Sequence, residues 1–367
     1  MFLMLFEGSD MKYVAKEYYL IEPFKFVLKE RIIERVPKGF LLLKPIVAGI
    51  CGSELLYFRG EKEPEKLRAR LPICLLHEGV AEVVEVGEGT RIGVGAKVVV
   101  NPMIPCYSCD PCRAFKENLC QNAKYMAATA DGLARTYFLY PENRVLPVPE
   151  EIDLEVAALT EPLSIALNAF EESDAEKNDR VAVVGDGPVG YLLALVSSYV
   201  GGVPPEKLYF IGIVDEKLSL ASDFASTINS LKNRLALEEI YGTIDVSFEA
   251  AGGRAHKATI RESIDLLKPG GRCILLGISM GEVPVEVSKI VNRGLTLKGS
   301  TRSRMSHFIK ALELLKSRDF QDKVKRVISA KKFVINDVND LTEAFKYADT
   351  EEGESRVKPG RVMVYFP

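Results

Sequence analysis

Hydrophobic and polar positions follow two different patterns along the chain, and the first pattern occupies residues 25–148. Short β-branched segments there, such as residues 80–86 and 96–100, are separated by Gly and Pro. Short apolar runs bounded by turn residues are typical of strands in an all-β arrangement. The pattern therefore predicts a largely β, barrel-like domain.

The second pattern begins after residue 150. Residues 154–171 have the apolar spacing of a helix and are expected to bridge two domains. Residues 180–185 then form a continuous apolar run of the kind buried in a parallel sheet. Strand and helix patterns alternate from there, with strands expected at 208–212, 245–250, 271–277 and 295–299. Such alternation predicts a doubly wound sheet, and a tail from about residue 305 that returns to the first domain.

Chain length, net charge and the lengths of the apolar runs limit which kinds of protein this sequence can be. At 367 residues the chain exceeds the usual size of one domain, so two are expected. A net charge of −3, with Lys and Arg interleaved with Glu, argues against a nucleic-acid partner. No apolar run approaches the roughly 18 residues of a membrane span, and no convincing signal peptide is present. A cytoplasmic location is expected, where clustered cysteines more often bind metal than form disulfides.

The motif Gly185-Asp186-Gly187-Pro188-Val189-Gly190 follows an apolar strand and precedes an apolar helix. In this context it predicts a dinucleotide-binding turn. Gly185 permits the tight turn, Gly187 admits a pyrophosphate, and Gly190 lets helix and strand pack closely. The competing interpretation is a structural turn without a ligand.

Four of the seven cysteines lie within fifteen residues, at Cys106, Cys109, Cys112 and Cys120. Four closely spaced thiolates can close a tetrahedral zinc site, which is typical of structural zinc. The loop between them has no hydrophobic core of its own, so a metal is expected to hold it together. An iron–sulfur cluster and incidental free thiols are the alternatives.

A second candidate metal site is dispersed along the chain. Cys51, His77 and a carboxylate from Glu78 or Glu161 would provide three ligands and leave one position open, as a catalytic zinc requires. Taken singly, Cys51 is better explained as a buried thiol and His77 as a core histidine. Their occurrence together with the glycine motif and the four cysteines is what favours a metal site. Of the two carboxylates, one would ligate the metal while the other holds its water, and the choice stays open.

These motifs together resemble the medium-chain, zinc-containing alcohol dehydrogenase superfamily over essentially the whole chain. Residues 51–54 (Cys-Gly-Ser-Glu) resemble the family segment C-G-[ST]-D, which carries the first zinc ligand and a hydroxyl for proton relay. His77-Glu78 resembles its G-H-E segment, and residues 161–163 resemble the E-P-L of polyol dehydrogenases. The resemblance implies an α/β protein in which a GroES-like catalytic domain, residues 1–155 and 305–367, surrounds a Rossmann domain at 156–304.

Within the superfamily, several short segments are most similar to the ribitol-5-phosphate dehydrogenase (ribulose-5-phosphate reductase) branch; they are residues 76–80, 185–187, 248–254, 275–279, 299–303 and 340–345. There are also departures from the family pattern. Glu54 stands where Asp is usual and Leu76 where Gly is usual. Leu56 replaces a histidine that often relays the proton in polyol dehydrogenases, which leaves Ser53, Tyr57 or water for that role.

The resemblance implies a zinc-dependent oxidoreductase that moves a hydride between NADP or NAD and a polyol or polyol phosphate and its ketose, such as ribulose 5-phosphate. It also implies one catalytic and one structural zinc per chain, and a homodimer or homotetramer. The alternatives are a sorbitol- or threonine-dehydrogenase-like enzyme for an unphosphorylated alcohol, a zinc-binding interaction module without catalysis, and a zinc-free quinone-reductase-like relative.

Cofactor choice depends on the end of the second Rossmann strand. In NAD enzymes an acidic residue there binds the ribose hydroxyls. Aligning Lys217 and its neighbour with the family places Gly212 at that position, so NADP(H) is predicted. Asp215 lies three residues later and is the residue that would reverse this prediction.

A phosphorylated substrate would need a cationic anchor, ideally a guanidinium that binds phosphate with two hydrogen bonds. Arg302 and Arg304 follow the last Rossmann strand, and Arg59 follows the Cys51 segment. These three arginines are the candidates. The alternatives are plain surface residues, or an arginine that holds the cofactor's 2′-phosphate.

Overall fold

The computed structural model describes residues 13–253, 255–278, 281–352 and 360–367. Residues 1–12 and 353–359 of the predicted catalytic domain lie outside the described residues. So do Arg254 and Ser279, which belong to two of the motifs quoted above. Within the described ranges, no helix combines the length and the apolar character that crossing a bilayer requires.

The N-terminal part is built mainly of strands, as the short β-branched segments predict. Its strands are β1 (Tyr13–Glu22), β2 (Lys25–Ile33), β3 (Phe40–Gly49), β4 (Ile73–Cys74), β5 (Glu78–Val86), β6 (Lys97–Val100), β7 (Met103–Ile104), β8 (Lys124–Tyr125), β9 (Phe138–Pro141) and β10 (Val145–Pro147). Its helices are α1 (Gly52–Phe58), α2 (Pro64–Arg70) and α3 (Asp110–Arg113), with single 3-10 turns at Glu117–Leu119 and Glu142–Arg144.

The middle part alternates strands and helices. Two helices lead into it, α4 (Leu154–Ala158) and α5 (Thr160–Ser173). There follow β11 (Val181–Val184), α6 (Pro188–Tyr199), β12 (Leu208–Gly212), α7 (Asp215–Ser219), β13 (Ser226–Asn229), α8 (Arg234–Glu238), β14 (Ile244–Glu249), α9 (His256–Leu266), β15 (Leu267–Leu275), α10 (Val287–Arg293) and β16 (Thr296–Gly299).

The six strands of this middle part form one parallel sheet in the order β13-β12-β11-β14-β15-β16. All four residues of β11 are buried, because helices cover both faces of the sheet. The strand order reverses between β11 and β14. Ligands of doubly wound sheets bind at the carboxyl edge of such a reversal, and the glycine motif lies there.

The tail returns to the first domain. It comprises α11 (Met305–Leu315), α12 (Arg318–Lys325), β17 (Ile328–Val334), α13 (Val338–Glu352) and β18 (Arg361–Tyr365). Strand β18 pairs antiparallel with β3 and parallel with β17. The result is a seven-stranded sheet in the order β10-β6-β5-β3-β18-β17, with β9 also paired to β3.

The two parts share apolar packing. Phe308 of α11 and Leu163 of α5 lie in the same buried cluster as Val47 of β3, Val80 of β5 and Val183 of β11. Because this core crosses from one sheet to the other, the boundaries drawn near residues 155 and 304 remain predictions.

Candidate active site and metal groups

Strand register brings the dispersed metal candidates together. Strands β3 and β5 are antiparallel, with Gly49 opposite Glu78. Cys51 follows the end of β3, and His77 precedes the start of β5, so the two arrive at the same end of the sheet. The ligand atoms of Cys51, His77 and Glu78 all lie within 4.8 Å of one another.

Glu54 positions both the histidine and the cysteine of this group. Its Oε1 lies 2.7 Å from His77 Nδ1, and its Oε2 accepts a hydrogen bond of 3.0 Å from the Cys51 backbone N–H. Burial is the largest single influence on the pKa of His77 and lowers it, but Glu54 and Cys51 together outweigh burial, so that the pKa stands well above its usual value. A carboxylate on Nδ1–H leaves Nε2 as the metal-binding nitrogen, which is the usual support for a histidine ligand.

Glu78 offers unsatisfied acceptors to this group. The residue is buried, and neither carboxylate oxygen has a hydrogen-bond partner among the described residues. Its Oε2 forms an ion pair of 3.1 Å with Nε of Arg361, at the start of β18. Burial raises the pKa of Glu78, and Arg361 opposes that rise. The thiolate of Cys51, the imidazole of His77 and the carboxylate of Glu78 fit a zinc ion that keeps one coordination position open.

Glu161 stands beside the group. It lies in the first turn of α5 and accepts a hydrogen bond of 2.8 Å from the hydroxyl of Tyr125. Burial raises the pKa of Glu161 to about 7. The structure thus brings Glu78, and not Glu161, within ligand distance of both Cys51 and His77.

The candidates for proton relay lie on α1, which begins directly after Cys51. Ser53 Oγ donates a hydrogen bond of 3.4 Å to Cys51 Sγ, which places the hydroxyl at the metal group. Tyr57 is half-buried one turn further on, and burial raises the pKa of its hydroxyl. Leu56 is buried in the core and offers no polar atom.

The four-cysteine segment joins β7 to β8. The Sγ atoms of Cys106, Cys109, Cys112 and Cys120 lie within 4.8 Å of one another. A hydrogen bond from Ser108 lowers the pKa of Cys106 to about 5, whereas burial and the neighbouring Cys109 raise that of Cys112 to about 12. Thiolates that oppose one another's ionisation are what a divalent cation would stabilise, and the donor set fits a closed zinc site.

The glycine motif has the geometry of a nucleotide-binding turn. Gly185 has φ +127°, which favours glycine, and a Cβ on Gly190 would lie 1.9 Å from the Gly185 carbonyl oxygen. A Cβ on Gly187 would meet nothing within 4 Å, so the backbone is open there. Helix α6 begins at Pro188, and the first N–H groups of a helix, here including that of Val189, have no partner within it. A pyrophosphate fits this opening.

At the end of β12, Asp186 fills the space beside Gly212. Its Oδ2 accepts hydrogen bonds from the backbone N–H groups of Ile213 and Val214, at 2.7 and 2.9 Å. A Cβ on Gly212 would lie 2.4 Å from that of Asp186, so no side chain fits there. Gly212, the position at which the sequence lacks a carboxylate, therefore lies against the carboxylate of Asp186, a residue of the glycine motif.

Asp215 begins α7 and is bound to protein groups. It accepts a hydrogen bond of 2.5 Å from Asn229 and forms an ion pair with Lys232. These partners lower the pKa of Asp215, with the hydrogen bond from Lys232 the largest cause. Lys217 lies two residues after Asp215 on α7 and is partly exposed.

The three candidate arginines are each bound to protein groups. Arg59 forms ion pairs with Glu61 and Asp349, the latter at 2.6 Å. Arg302 donates to the backbone carbonyls of residues 118 and 120 in the four-cysteine segment, both at 3.2 Å. Arg304 forms an ion pair with Glu171. None of these contacts is to the group formed by Cys51, His77 and Glu78.

Sequence reasoning missed four residues of the site. Glu54 was noted only as a departure from the family's Asp, although its spacing of three from Cys51 suits a contact across one helical turn. Asp186 stands within the glycine motif, where only the glycines carry a sequence signal. Tyr125 and Arg361 carry no local signal, because they reach Glu161 and Glu78 from distant parts of the chain.

Comparison with known families agrees with this geometry. Residues 37–150 match the family model of the alcohol dehydrogenase GroES-like domain. Residues 188–317 match the model described as zinc-binding dehydrogenase. The first model covers the metal groups built on β3, α1 and β5, and the second begins within the glycine motif.

Individual relatives span nearly the whole chain. Ribulose-5-phosphate reductase 1 of Staphylococcus aureus is 32% identical over 341 residues, which cover 91% of this chain and 95% of that protein. The crystal structure of S. aureus TarJ with NADPH has 27% identity and a TM-score of 0.77, and covers 97% of this chain and 100% of its own. A short chain alcohol dehydrogenase of Escherichia coli CFT073 with NADH has 25% identity and a TM-score of 0.81, with coverage of 96% and 99%.

Proposed function

Because this chain belongs to the zinc-containing, medium-chain alcohol dehydrogenase superfamily, we propose that it reduces a ketose phosphate to the polyol phosphate, and catalyses the reverse oxidation, with NADP(H) and zinc. Membership makes it an oxidoreductase of the alcohol and polyol dehydrogenase type. The observation that carries the proposal is the convergence of Cys51, His77 and Glu78 at one end of the β3–β5 pair.

Two zinc ions per chain are part of the proposal. Cys51, His77 and Glu78 would hold the catalytic ion, and the four-cysteine segment the structural one. When bound, the catalytic zinc supplies Lewis-acid stabilisation of the substrate oxygen, and the nicotinamide supplies or accepts the hydride. A zinc-binding module without catalysis leaves the Rossmann sheet unexplained, and a zinc-free relative leaves both metal groups unexplained. A metal count of two per chain separates the enzyme from both.

Side chains around the metal group would carry out proton transfer, orient the ligands and bind water. Ser53 would take the hydroxyl proton of the substrate and pass it towards solvent, a role supported by the 3.4 Å between its Oγ and Cys51 Sγ. Glu54 keeps the His77 ring oriented throughout. Glu161 would hold water beside the metal group, a role supported by its burial and by its hydrogen bond from Tyr125.

The substrate class is tested by comparing ribitol 5-phosphate with ribitol and sorbitol at equal zinc loading. We expect the highest kcat/KM with the phosphorylated substrate. Support comes from the similarity to ribulose-5-phosphate reductase 1. If the free polyols are better substrates, the phosphate proposal fails and a sorbitol-dehydrogenase-like enzyme takes its place.

Cofactor preference is the second prediction. The β12 end carries Gly212 instead of an acid, and Asp186 and Asp215 are both bound to protein donors. We therefore expect kcat/KM for NADPH to exceed that for NADH by at least about tenfold, the effect of one charge-assisted hydrogen bond. S. aureus TarJ was solved with NADPH, whereas the E. coli relative holds NADH. A clear preference for NADH in steady-state kinetics would defeat this prediction.

A further inference from the structure

Lys62 is a half-buried cation, and none of the residues that the structure describes supplies a carboxylate that pairs with it. Its Nζ lies 5.0 Å from the centre of the Tyr57 ring. Among the described side chains, no carboxylate forms an ion pair with it, whereas neighbouring Lys66 is exposed and paired with Glu63. Partly desolvating an ammonium without a counter-charge is unfavourable, so the arrangement calls for an anion from outside the protein.

The position of Lys62 relates it to the metal group. Tyr57 lies on α1, which begins at Gly52, directly after the zinc-ligand candidate Cys51. Burial lowers the pKa of Lys62, and the charge of Cys51 opposes that effect, so the ammonium lies within electrostatic range of the metal group. An aromatic face within about 6 Å stabilises a cation and restricts where it points.

The other candidate cations are already neutralised or engaged. Arg59 and Arg304 are ion-paired with carboxylates, and Arg302 is bound to backbone carbonyls. Of these four candidate cations, Lys62 is therefore the one that has neither kind of partner among the described residues.

We propose that Lys62 binds the anionic end of the substrate, with the Tyr57 ring holding its ammonium in place. The inference rests on the proposed function, since it assigns the group that selects a charged polyol over a neutral one. A phosphate and a carboxylate offer the same anionic oxygens to an ammonium, which binds phosphate as a point charge. The experiment therefore includes both kinds of anion.

The test compares zinc-loaded wild type, Lys62→Met, Lys62→Arg and the matched control Lys66→Met. Each is assayed with ribitol 5-phosphate, ribitol and the corresponding aldonate. We expect Lys62→Met to lower the ratio of kcat/KM for ribitol 5-phosphate to that for ribitol by about 10- to 100-fold, as loss of a hydrogen bond to a charged group predicts. Lys62→Arg should restore part of the ratio, and Lys66→Met should leave it unchanged.

Other outcomes overturn the inference in distinguishable ways. An unchanged ratio in Lys62→Met, or a fall in Arg302→Ala instead, means that Lys62 is not the anchor. A higher kcat/KM for the aldonate than for ribitol 5-phosphate rejects the phosphate substrate; if Lys62→Met abolishes that preference, Lys62 is supported as the anchor of a carboxylate, and if it does not, the anchor is overturned.

A binding measurement keeps the two proposals separate. Calorimetric titration with ribitol 5-phosphate does not depend on turnover, and weaker binding by Lys62→Met than by Lys66→Met supports the anchor even if no hydride is transferred. Equal binding by both variants overturns the anchor. Absence of hydride transfer from every substrate by the zinc-loaded enzyme would defeat the proposed function alone.

Discussion

Replacing His77 by alanine is expected to lower kcat by at least about 10³-fold and to leave NADPH binding intact. The substitution removes one of three protein ligands, and the Lewis-acid contribution of a catalytic metal is worth several kcal/mol, each ~1.4 kcal/mol being tenfold in rate. NADPH binding should persist because the glycine motif lies on β11 and α6, whereas His77 precedes β5. Steady-state rates and the fluorescence of bound NADPH measure the two effects.

A matched control uses another buried histidine. His307 lies on α11, where it contacts Glu171 and Arg304 and no residue of the metal group. His307→Asn should therefore keep both catalytic zinc and turnover, while Cys51→Ser should resemble His77→Ala. The assignment of the metal group is wrong if His77→Ala retains most of the wild-type kcat.

Replacing Cys106 by serine is expected to remove one zinc per chain and to lower Tm by roughly 5–10 °C. Closed thiolate sites contribute directly to folding stability, and for a domain of this size about 1 kcal/mol corresponds to roughly 2–4 °C. We expect the segment between β7 and β8 to depend on that contribution, since the side chains of Tyr107 and Phe115 are exposed and supply no core. Metal analysis and thermal unfolding measure the two effects.

Cys273→Ala is the control for the structural zinc. Cys273 is buried in β15 and belongs to neither metal group. Its replacement leaves a small cavity and lowers Tm, but the zinc count should stay at the wild-type value. A wild-type zinc count in Cys106→Ser would refute the structural site.

The features that were predictable from sequence are those whose residues are close along the chain. The strand 208–212 was predicted with the bounds that β12 has, because a short apolar run between polar turns has few alternatives. The helix predicted over 154–171 is instead two helices, α4 and α5, broken at Leu159, where ψ is 4°. Leu159 is fully buried, so the apolar periodicity continues through the break and conceals it.

The site was predictable only in part, because several of its contacts join residues that lie far apart along the chain. Residue types identify Cys51 and His77 as metal candidates, but the choice between Glu78 and Glu161 depends on the register of β3 with β5. The anchor was sought among arginines because guanidinium suits phosphate, yet each arginine has a partner that no local pattern reveals. Lys62 carries no signal in the sequence, because what distinguishes it is that the described residues include no carboxylate paired with it.

Strand β18 is synthesised long after the strands that carry the metal group, and it contributes a residue that contacts that group. It pairs with β3, more than 300 residues earlier, and its Arg361 holds the carboxylate of Glu78. On the ribosome, the four-cysteine segment and the parallel sheet emerge and can fold while β3 still lacks this neighbour. Glu78 therefore acquires this counter-charge only after Arg361 has been synthesised and β18 has paired with β3, so we expect the metal group to be completed after the parallel sheet has formed.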